Sequence, residues 1–451
     1  MVSFSHLDDS LPEEEWAREL ADRGTLDLDQ LCPPGTGRLV VLAAHPDDET
    51  LGAGGLIAAL AARGTAVDVV VATAGEASHP GSPTCTPQEL SRIRRAELRD
   101  AVAQLAPQAA VHFLNLPDGG LAAHRDDLDA ALAAVVGPAA EHTVLAAPWR
   151  TDGHIDHDTA GRAAAALART LGLPLLEYPI WLWHWGKPAD LPADLVLLPL
   201  GGAASAKARA MTAHVSQVQP LSAAPGDEAL LSPSVLAHFE RSFESFVLTR
   251  PRPPREVFED LYQTSADPWQ FESSFYEHRK RALSLAMLPR PHFSSVFEPG
   301  CSIGVFTQEL AGRAQAVTAT DISDGALDLA RRRLAGAPHV RLAQGAVPQD
   351  WPAGSFDLVV VSEIGYFLQH SELRDLAART EASLTDDGVV LLCHWRHPNE
   401  GWELTGDQVH EVFRAQGGLR VLAEHSEADF RIDVLARDKT PADAALRPGQ
   451  R

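Results

Sequence analysis

The feature that most constrains this chain is a pattern written twice: short apolar runs alternating with amphipathic stretches of helical length. The first series opens at residues 38–44 (RLVVLAA). It continues through a helical stretch at 51–63, the run VDVVVAT at 67–73 and a helix over about 87–105. Runs at 111–114 and 144–147 follow, with a helix near 126–136 between them. Apolar runs this short, separated by amphipathic helices, predict parallel strands buried on both faces. A second series starts at 295–298, with a helix from 305, a strand at 316–320 and a helix from 324. Strands at 340–343 and 356–361, a helix near 372–384 and a strand at 389–394 complete it. The runs at 419–424 and 430–436 read as a closing antiparallel pair. Between the two series, LTRPRPPRE at 248–256 carries three prolines and three arginines, which do not continue a helix or a central strand.

The expected fold class is therefore α/β: two doubly wound, Rossmann-like domains in tandem, each with a mainly parallel sheet. The expected boundaries are a first domain at 1–247, a linker at 248–256, a second domain at 257–440 and a flexible tail at 441–451. A length of 451 residues suits two or three units at roughly 150 residues each. Hydrophobic residues at 45% and charged residues at 22% exclude a disordered chain. Acidic residues outnumber basic ones by 61 to 38, and the net charge of −23 is spread along the chain. That charge opposes nucleic acid and anionic membrane surfaces and favours a small or neutral partner; no nucleic acid and no membrane partner is expected. Cys32, Cys85, Cys301 and Cys393 are far apart without a CxxC pair, so they read as isolated thiols. The N-terminal stretch lacks a signal pattern, and no run reaches the ~18 apolar residues of a membrane span; a cytoplasmic enzyme is expected.

The chemistry gathers where strands end. The run at 38–44 leads directly into HPDDE (45–49), and the strand near 143–147 leads into PWRTDGHIDH (148–157). Ligands of open α/β sheets sit beyond the carboxyl ends of the strands. Two histidines and one aspartate from these loops can hold zinc and leave a position open for water. Either motif alone has a bland reading, as a helix cap or a chance HxxH; both after apolar strands point to a metal site.

These residues resemble the PIG-L/LmbE-like deacetylases, which remove acetyl groups from N-acetylated sugars and related conjugates. The resemblance spans roughly residues 38–245 and rests on AHPDDE (44–49), TAGE (73–76), Arg94 with Glu97, LPDG (116–119) and HIDH (154–157). Lys207 with the HVSQ run from His214 resembles a later family element. It implies His45, Asp48 and His157 as ligands of Zn2+ (or another divalent metal), Asp47 as general base and His154 as the oxyanion donor. Trp183, in the WLWHW run at 181–185, reads as core or as a sugar-stacking wall, and His214 as a further substrate residue.

In the second series, FEPGCSIG (297–304) follows a strand and opens a helix, and Asp321 ends the next strand, placed for two ribose hydroxyls. A dinucleotide site is the rival reading, but it prefers GxGxxG. Over about 262–440 the pattern resembles class I S-adenosylmethionine (SAM) dependent methyltransferases. This implies Glu298, Gly300 and Gly304 beside the methionine portion, Asp321 on the ribose, and Gly345, Ala346 and Val347 near adenine. The stretch 355–367, with Glu363, would face the methyl group. A narrower resemblance, to the NodS N-methyltransferases of deacetylated chitooligosaccharides, rests on DPW (267–269), Tyr276-Glu277 with Lys280, HWRHP (394–398), Gly406-Asp407 and Val409-His410. It suggests Trp269 and Tyr276 as a lid over SAM, and His394 or His397 as acceptor of the amine proton.

Together the halves imply one bifunctional enzyme, which frees the amine of an N-acetylated sugar or glycoconjugate and then N-methylates it. The alternatives are two activities on different substrates, the second an O- or other N-methylation, or one half acting only as a binding module. The oligomeric state is not encoded legibly.

Overall fold

A computed structural model describes residues 11–35, 37–137, 142–399 and 402–437. The segment 441–451, expected to be a flexible tail, lies outside the described residues. The chain divides between Arg252 and Pro253 into two compact units. No helix among the described residues is long and apolar enough to cross a membrane. All four cysteines are free thiols.

The first unit is built on an eight-stranded sheet. Its strands are β1 (Gly24–Thr25), β2 (Arg38–Ala43), β3 (Ala66–Val71), β4 (Ala110–Phe113), β5 (Thr143–Pro148), β6 (Leu175–Tyr178), β7 (Leu195–Pro199) and β8 (Phe243–Thr249), in the order β1-β7-β8-β6-β5-β2-β3-β4. All pairings are parallel except those of β8, which runs antiparallel between β6 and β7. The connecting helices include α1 (Asp48–Ala61), α2 (Pro87–Leu105), α3 (Arg125–Val136), α4 (Ile155–Leu171) and α5 (Ala204–Met211). A capping box at Thr86 and Glu89, with Pro87 at the first helical position, fixes the start of α2. Two apolar layers, one on each face of the sheet, account for the unbroken hydrophobic runs in β2 and β5.

Helix α1 lies unusually close to the sheet. A Cβ on Gly52 would stand 2.1 Å from the Tyr178 ring, whose hydroxyl donates to the Leu42 carbonyl at 2.5 Å. Only a residue without a side chain allows this approach.

The second unit carries a seven-stranded sheet: β9 (Phe293–Pro299), β10 (Ala314–Asp321), β11 (Val340–Gln344), β12 (Phe356–Ser362), β13 (Leu384–Trp395), β14 (Leu419–Ser426) and β15 (Phe430–Arg437). Their order is β11-β10-β9-β12-β13-β15-β14, parallel except for the pairings of β15 with β13 and β14. The helices are α6 (Pro254–Thr264), α7 (Phe275–Met287), α8 (Val305–Ala311), α9 (Asp324–Arg333), α10 (His370–Ser383) and α11 (Gly406–Arg414). The α/β class with two largely parallel sheets is as the sequence led us to expect.

One reading needs correction. The stretch 248–256 is not all linker: Leu248 and Thr249 end β8, and Pro254 opens α6. A proline is tolerated in a first helical turn, where its missing N–H has no partner to lose.

Gly52→Ala should destabilise the first unit by about 1–3 kcal/mol through overpacking against Tyr178, while Gly81→Ala, which meets no atom within 4 Å, serves as control. Denaturant unfolding of the two variants measures the difference.

Candidate active sites

In the first unit, β2 and β5 are hydrogen-bonded neighbours, so the loops leaving their carboxyl ends meet. His45 Nδ1 stands 3.2 Å from His157 Nε2, and His157 Nε2 lies 3.3 Å from Asp48 Oδ1. Asp48 Oδ2 is 3.7 Å from His45 Nδ1 and accepts from the backbone N–H groups of Ala44 and His45 at 2.9 Å each. The rings of His45, His154 and His157 have centroids within 4.9–5.2 Å of one another.

The tautomers follow from the partners, because a carboxylate can only accept. His157 Nδ1 lies 2.7 Å from Asp152 Oδ2, so it carries the hydrogen and leaves the Nε2 lone pair facing the cluster. His45 Nε2 lies 3.1 Å from Asp118 and 3.3 Å from Asp156, which leaves Nδ1 for the cluster. Asp152 is itself held by the backbone N–H groups of Ile180, Trp181 and Leu182. Asp156 accepts from Gly119 and Leu121. Two imidazole lone pairs and one carboxylate oxygen thus converge, each oriented from behind, which fits the donor set and supporting shell of a divalent transition metal.

The electrostatics agree. Burial opposes charge on His45 and His157, yet the surrounding carboxylates raise His45 well above its usual range and His157 to about 9. Despite burial, His157 and His45 hold Asp48 well below the ordinary carboxylate range. The cluster is built to hold positive charge. His154 behaves differently: burial and the two neighbouring histidines push it down to about 3. Its side chain accepts from the Asp156 N–H at 3.3 Å through Nδ1, so Nε2 carries the hydrogen of a neutral donor. Asp47 has φ 139°, a strained value for a residue with a side chain. Burial pushes its carboxyl up to about 6, opposed by Arg94 at 3.2 Å. Arg94 also donates to the carbonyls of Pro46 and Gly75, tying the β2 and β3 loops together.

Other expected residues land elsewhere. Trp183 is core, not a sugar wall: it is 3% exposed, its indole donates to the Pro179 carbonyl, and Trp16 and Arg241 pack on its ring. Four residues of amphipathic spacing could not reveal which ring turns inward. His214 Nε2 sits 3.0 Å from Thr50 Oγ1 and 3.5 Å from Glu49, on the first turn of α1. Lys207 pairs with Glu244 and donates to the Leu51 carbonyl, and Glu97 receives both Ser216 donors. Asp118, Asp152 and Asp156, which orient the two histidines, were not singled out from sequence; their presence inside LPDG and the DGHIDH run was the available signal.

In the second unit, β9 lies between β10 and β12, where the strand order reverses. Gly300 and Gly304 have φ of 70° and 76°, and a Cβ on Gly300 would stand 2.2 Å from Ile364 Cγ2. Glu298 is buried, and its Oε2 has no hydrogen-bond partner among the described residues. Burial pushes its carboxyl up to about 8, with Asp321 adding repulsion. An orphaned carboxylate oxygen beside a glycine turn fits a cationic ligand such as SAM. Asp321 is raised by burial and accepts from the N–H groups of Ser302 and Ser323 at 2.8 and 2.9 Å. Gly345 N–H donates to the Asp321 carbonyl and Ala346 N–H to Asp350; Val347 follows in the same turn.

Trp269 and Tyr276 belong to different clusters. Trp269 is 40% exposed among Phe258, Tyr262 and Phe271, whereas Tyr276 packs on Trp395 and Phe430. Glu363 has φ 57° and gathers Lys280 Nζ, the Tyr366 hydroxyl and the Trp395 N–H. His394 is fully buried with both ring nitrogens engaged, by His410 and the Gly365 N–H, so the structure gives it no nitrogen for an amine proton. His397 is half exposed and meets Asp429.

Comparison with known proteins agrees with this division. Residues 40–168 match the GlcNAc-PI de-N-acetylase family (PIG-L), and residues 257–396 match the Nodulation protein S family (NodS). A 1D-myo-inositol 2-acetamido-2-deoxy-alpha-D-glucopyranoside deacetylase of Rhodococcus erythropolis is 30% identical over 269 residues, 47% of this chain and 90% of that one. The chain belongs to the PIG-L deacetylase family and carries a NodS domain. Nodulation protein S of Rhizobium tropici is 35% identical over 106 residues, 23% of this chain. That match spans 43% of the Rhizobium protein, and the chain covers about half the length of the nodulation relatives it matches. The crystal structure of N-methyltransferase NodS from Bradyrhizobium japonicum WM9 with S-adenosyl-L-homocysteine (SAH) is 20% identical, covering 41% of this chain and 98% of that one, with TM-score 0.38.

Two outcomes test these sites. Asp152→Asn should weaken zinc binding by roughly 10–100-fold, read by competition with a chromophoric chelator. Glu298 bears on stability: the unfolded carboxyl ionises near its usual 4.5, the folded one near 8. The free second unit should therefore lose stability as pH rises from about 4.5 to about 8, and Glu298→Gln should flatten that slope, a difference on the order of a few kcal/mol in unfolding experiments.

Proposed function

We propose that the chain is a bifunctional enzyme that hydrolyses the acetamide of an N-acetylated amino sugar or its conjugate, then methylates the freed amine with SAM. The observation that carries the first step is the convergence of His45 Nδ1, His157 Nε2 and Asp48 Oδ1, with Asp47 and His154 beside them. Zn2+ or another divalent metal held by those three residues would bring a water's pKa toward ~7. Asp47, poised near 6 and steadied by Arg94, takes the water proton and later delivers it to the leaving amine. The neutral His154 Nε2–H donates to the acetamide oxygen as it gains charge in the tetrahedral intermediate. Asp118, Asp152 and Asp156 keep the two ligating imidazoles in the needed tautomers.

In the second unit, Glu298, Gly300, Gly304 and Asp321 would bind SAM, which supplies an electrophilic sulfonium methyl. The orphaned Glu298 oxygen supports this reading, since it asks for a cationic group. Glu363 stands at the carboxyl end of β12, next to β9, and is the carboxylate suited to draw an amine toward that methyl. His397 is half exposed on the loop after β13, with its Nε2 2.9 Å from Asp429 Oδ1. The names of the relatives support both halves of this reading: an acetamido-sugar deacetylase on one side and Nodulation protein S on the other.

The zinc-loaded chain is to be incubated with SAM and a panel that includes 1D-myo-inositol 2-acetamido-2-deoxy-α-D-glucopyranoside and N-acetylated chitooligosaccharides. Acetate release and product mass are followed together. Loss of acetyl and gain of methyl on one molecule is the expected result; acetate release without methylation would separate the two activities onto different substrates. Asp47→Asn should lower acetate release by about 10²–10⁴-fold with metal content retained and SAH binding unchanged.

A further inference from the structure

Three side chains with 0% exposure stand in a row in the second unit: His394 on β13, His410 on α11 and Asp433 on β15. Helix α11 packs across β13 and β15, which are themselves antiparallel neighbours. His410 Nδ1 is 2.7 Å from Asp433 Oδ2, His394 Nδ1 is 3.2 Å from His410 Nε2, and the Gly365 N–H points at His394 Nε2 at 3.3 Å. Arg414 donates to both Asp433 oxygens, and Arg431 lies 3.5 Å away.

The hydrogens in this row can be assigned from one end. Despite burial, His410 and Arg414 hold Asp433 well below the usual carboxylate range, so it only accepts. His410 Nδ1 then carries a hydrogen, and with that ring neutral its Nε2 accepts. His394 Nδ1 must donate to it, which leaves His394 Nε2 to accept from the Gly365 backbone. Every bond runs the same way, toward Asp433. Burial lowers both histidines, and the cations Lys280, Arg414 and Arg431 add to the effect against the opposing Asp433 charge. A second proton on His394 would set its Nε2–H against the Gly365 N–H, donor facing donor, and break the row.

The row ends on the turn that touches both sides of the candidate methyl-transfer site. Three consecutive residues of β13 grip that turn: the Cys393 carbonyl takes the Glu363 N–H at 2.9 Å, His394 takes the Gly365 N–H, and the Trp395 N–H gives to the Glu363 carboxylate at 2.9 Å. Gly365 is pressed so closely on Val409 and His394 that a Cβ would lie 2.5 Å from Val409 Cγ1 and 3.2 Å from His394 Nε2. Between them, Ile364 packs on Gly300 of the glycine turn. Glu363 is held at a positive φ, strain that needs such over-determination.

We propose that Asp433, His410 and His394 form a one-directional hydrogen-bond strut that sets the 363–365 turn, and so are positioning residues that seat Ile364 on the SAM-binding turn and Glu363 toward the acceptor. The inference rests on the second unit binding SAM as proposed above.

The test uses the full-length chain with ¹⁵N-labelled histidine. The spectrum should show His394 and His410 in the Nδ1–H form, opposite to the form favoured in water, and both should stay neutral between about pH 5 and 8. His394→Leu and His410→Leu should each remove one of those signals. They should weaken SAH binding by about tenfold in calorimetry, as expected for loss of a buried hydrogen bond that holds the site. His339→Leu, an exposed residue just before β11 whose ring meets the Ala311 carbonyl, should leave SAH affinity unchanged. A His394 that is protonated on Nε2, or that titrates in this range, would overturn the strut from the unmutated spectrum, whether or not the variants fold. Unchanged SAH affinity in folded His394→Leu and His410→Leu chains would overturn the positioning role alone. Absence of SAH binding by the unmutated chain would overturn the cofactor reading and the positioning role with it.

Discussion

The parallel pairing of β2 with β5 is the constraint on which the first unit's chemistry depends. Its register sets Val41 beside Ala146, so the two strands end almost level and release their loops into the same space. His45 and His157, 112 residues apart in sequence, stand 3.2 Å apart because that pairing releases their loops side by side. Neighbouring β3 and β4 contribute from the same edge, the first through the Gly75 carbonyl that Arg94 grips, the second through Asp118. The second unit repeats the device with other residues: β9 lies between β10 and β12, so Glu298, Asp321 and the turn at Ile364 share one edge. Ligand positions in both units are thus consequences of strand order before they are consequences of side-chain chemistry.

Carboxylates that only accept do the next level of work. Asp152 and the Asp118–Asp156 pair fix which nitrogen of His157 and His45 keeps its hydrogen, and the lone pairs that remain converge. Asp433 applies the same logic to His410 and His394, but there the lone pairs are consumed by neighbours and nothing is left over for a ligand. Hydrogen bonds to charged groups contribute roughly 1.5–3 kcal/mol each, enough to make one tautomer dominate. Identical residue types therefore converge on one another in one unit and line up in a one-directional row in the other. The difference lies in whether the last nitrogen meets another side chain of the cluster or a backbone amide.

The sequence by itself determined the α/β class, most strands and the motifs at their ends. Buried parallel strands must be apolar throughout and helices must cover them, so the alternation of β2, α1 and β3 is written in composition. The HPDDE and HIDH runs and the glycine turn at 300–304 were legible for the same local reason: each joins a strand to a helix. What only the tertiary structure decided are the relations between distant residues. Strand β8 inserts antiparallel between β6 and β7, a choice made by packing rather than by any local signal. Trp183 and His394 looked available in sequence, yet Trp183 turns into the core against Trp16 and Arg241, and His394 meets His410 and Gly365. An aromatic or imidazole carries no mark of which way it faces; that is settled by which elements close around it. The same holds for Asp118, Asp152 and Asp156, whose role exists only because the sheet sets them behind two histidines, and hydrogen-bond direction is a property of the assembled pair.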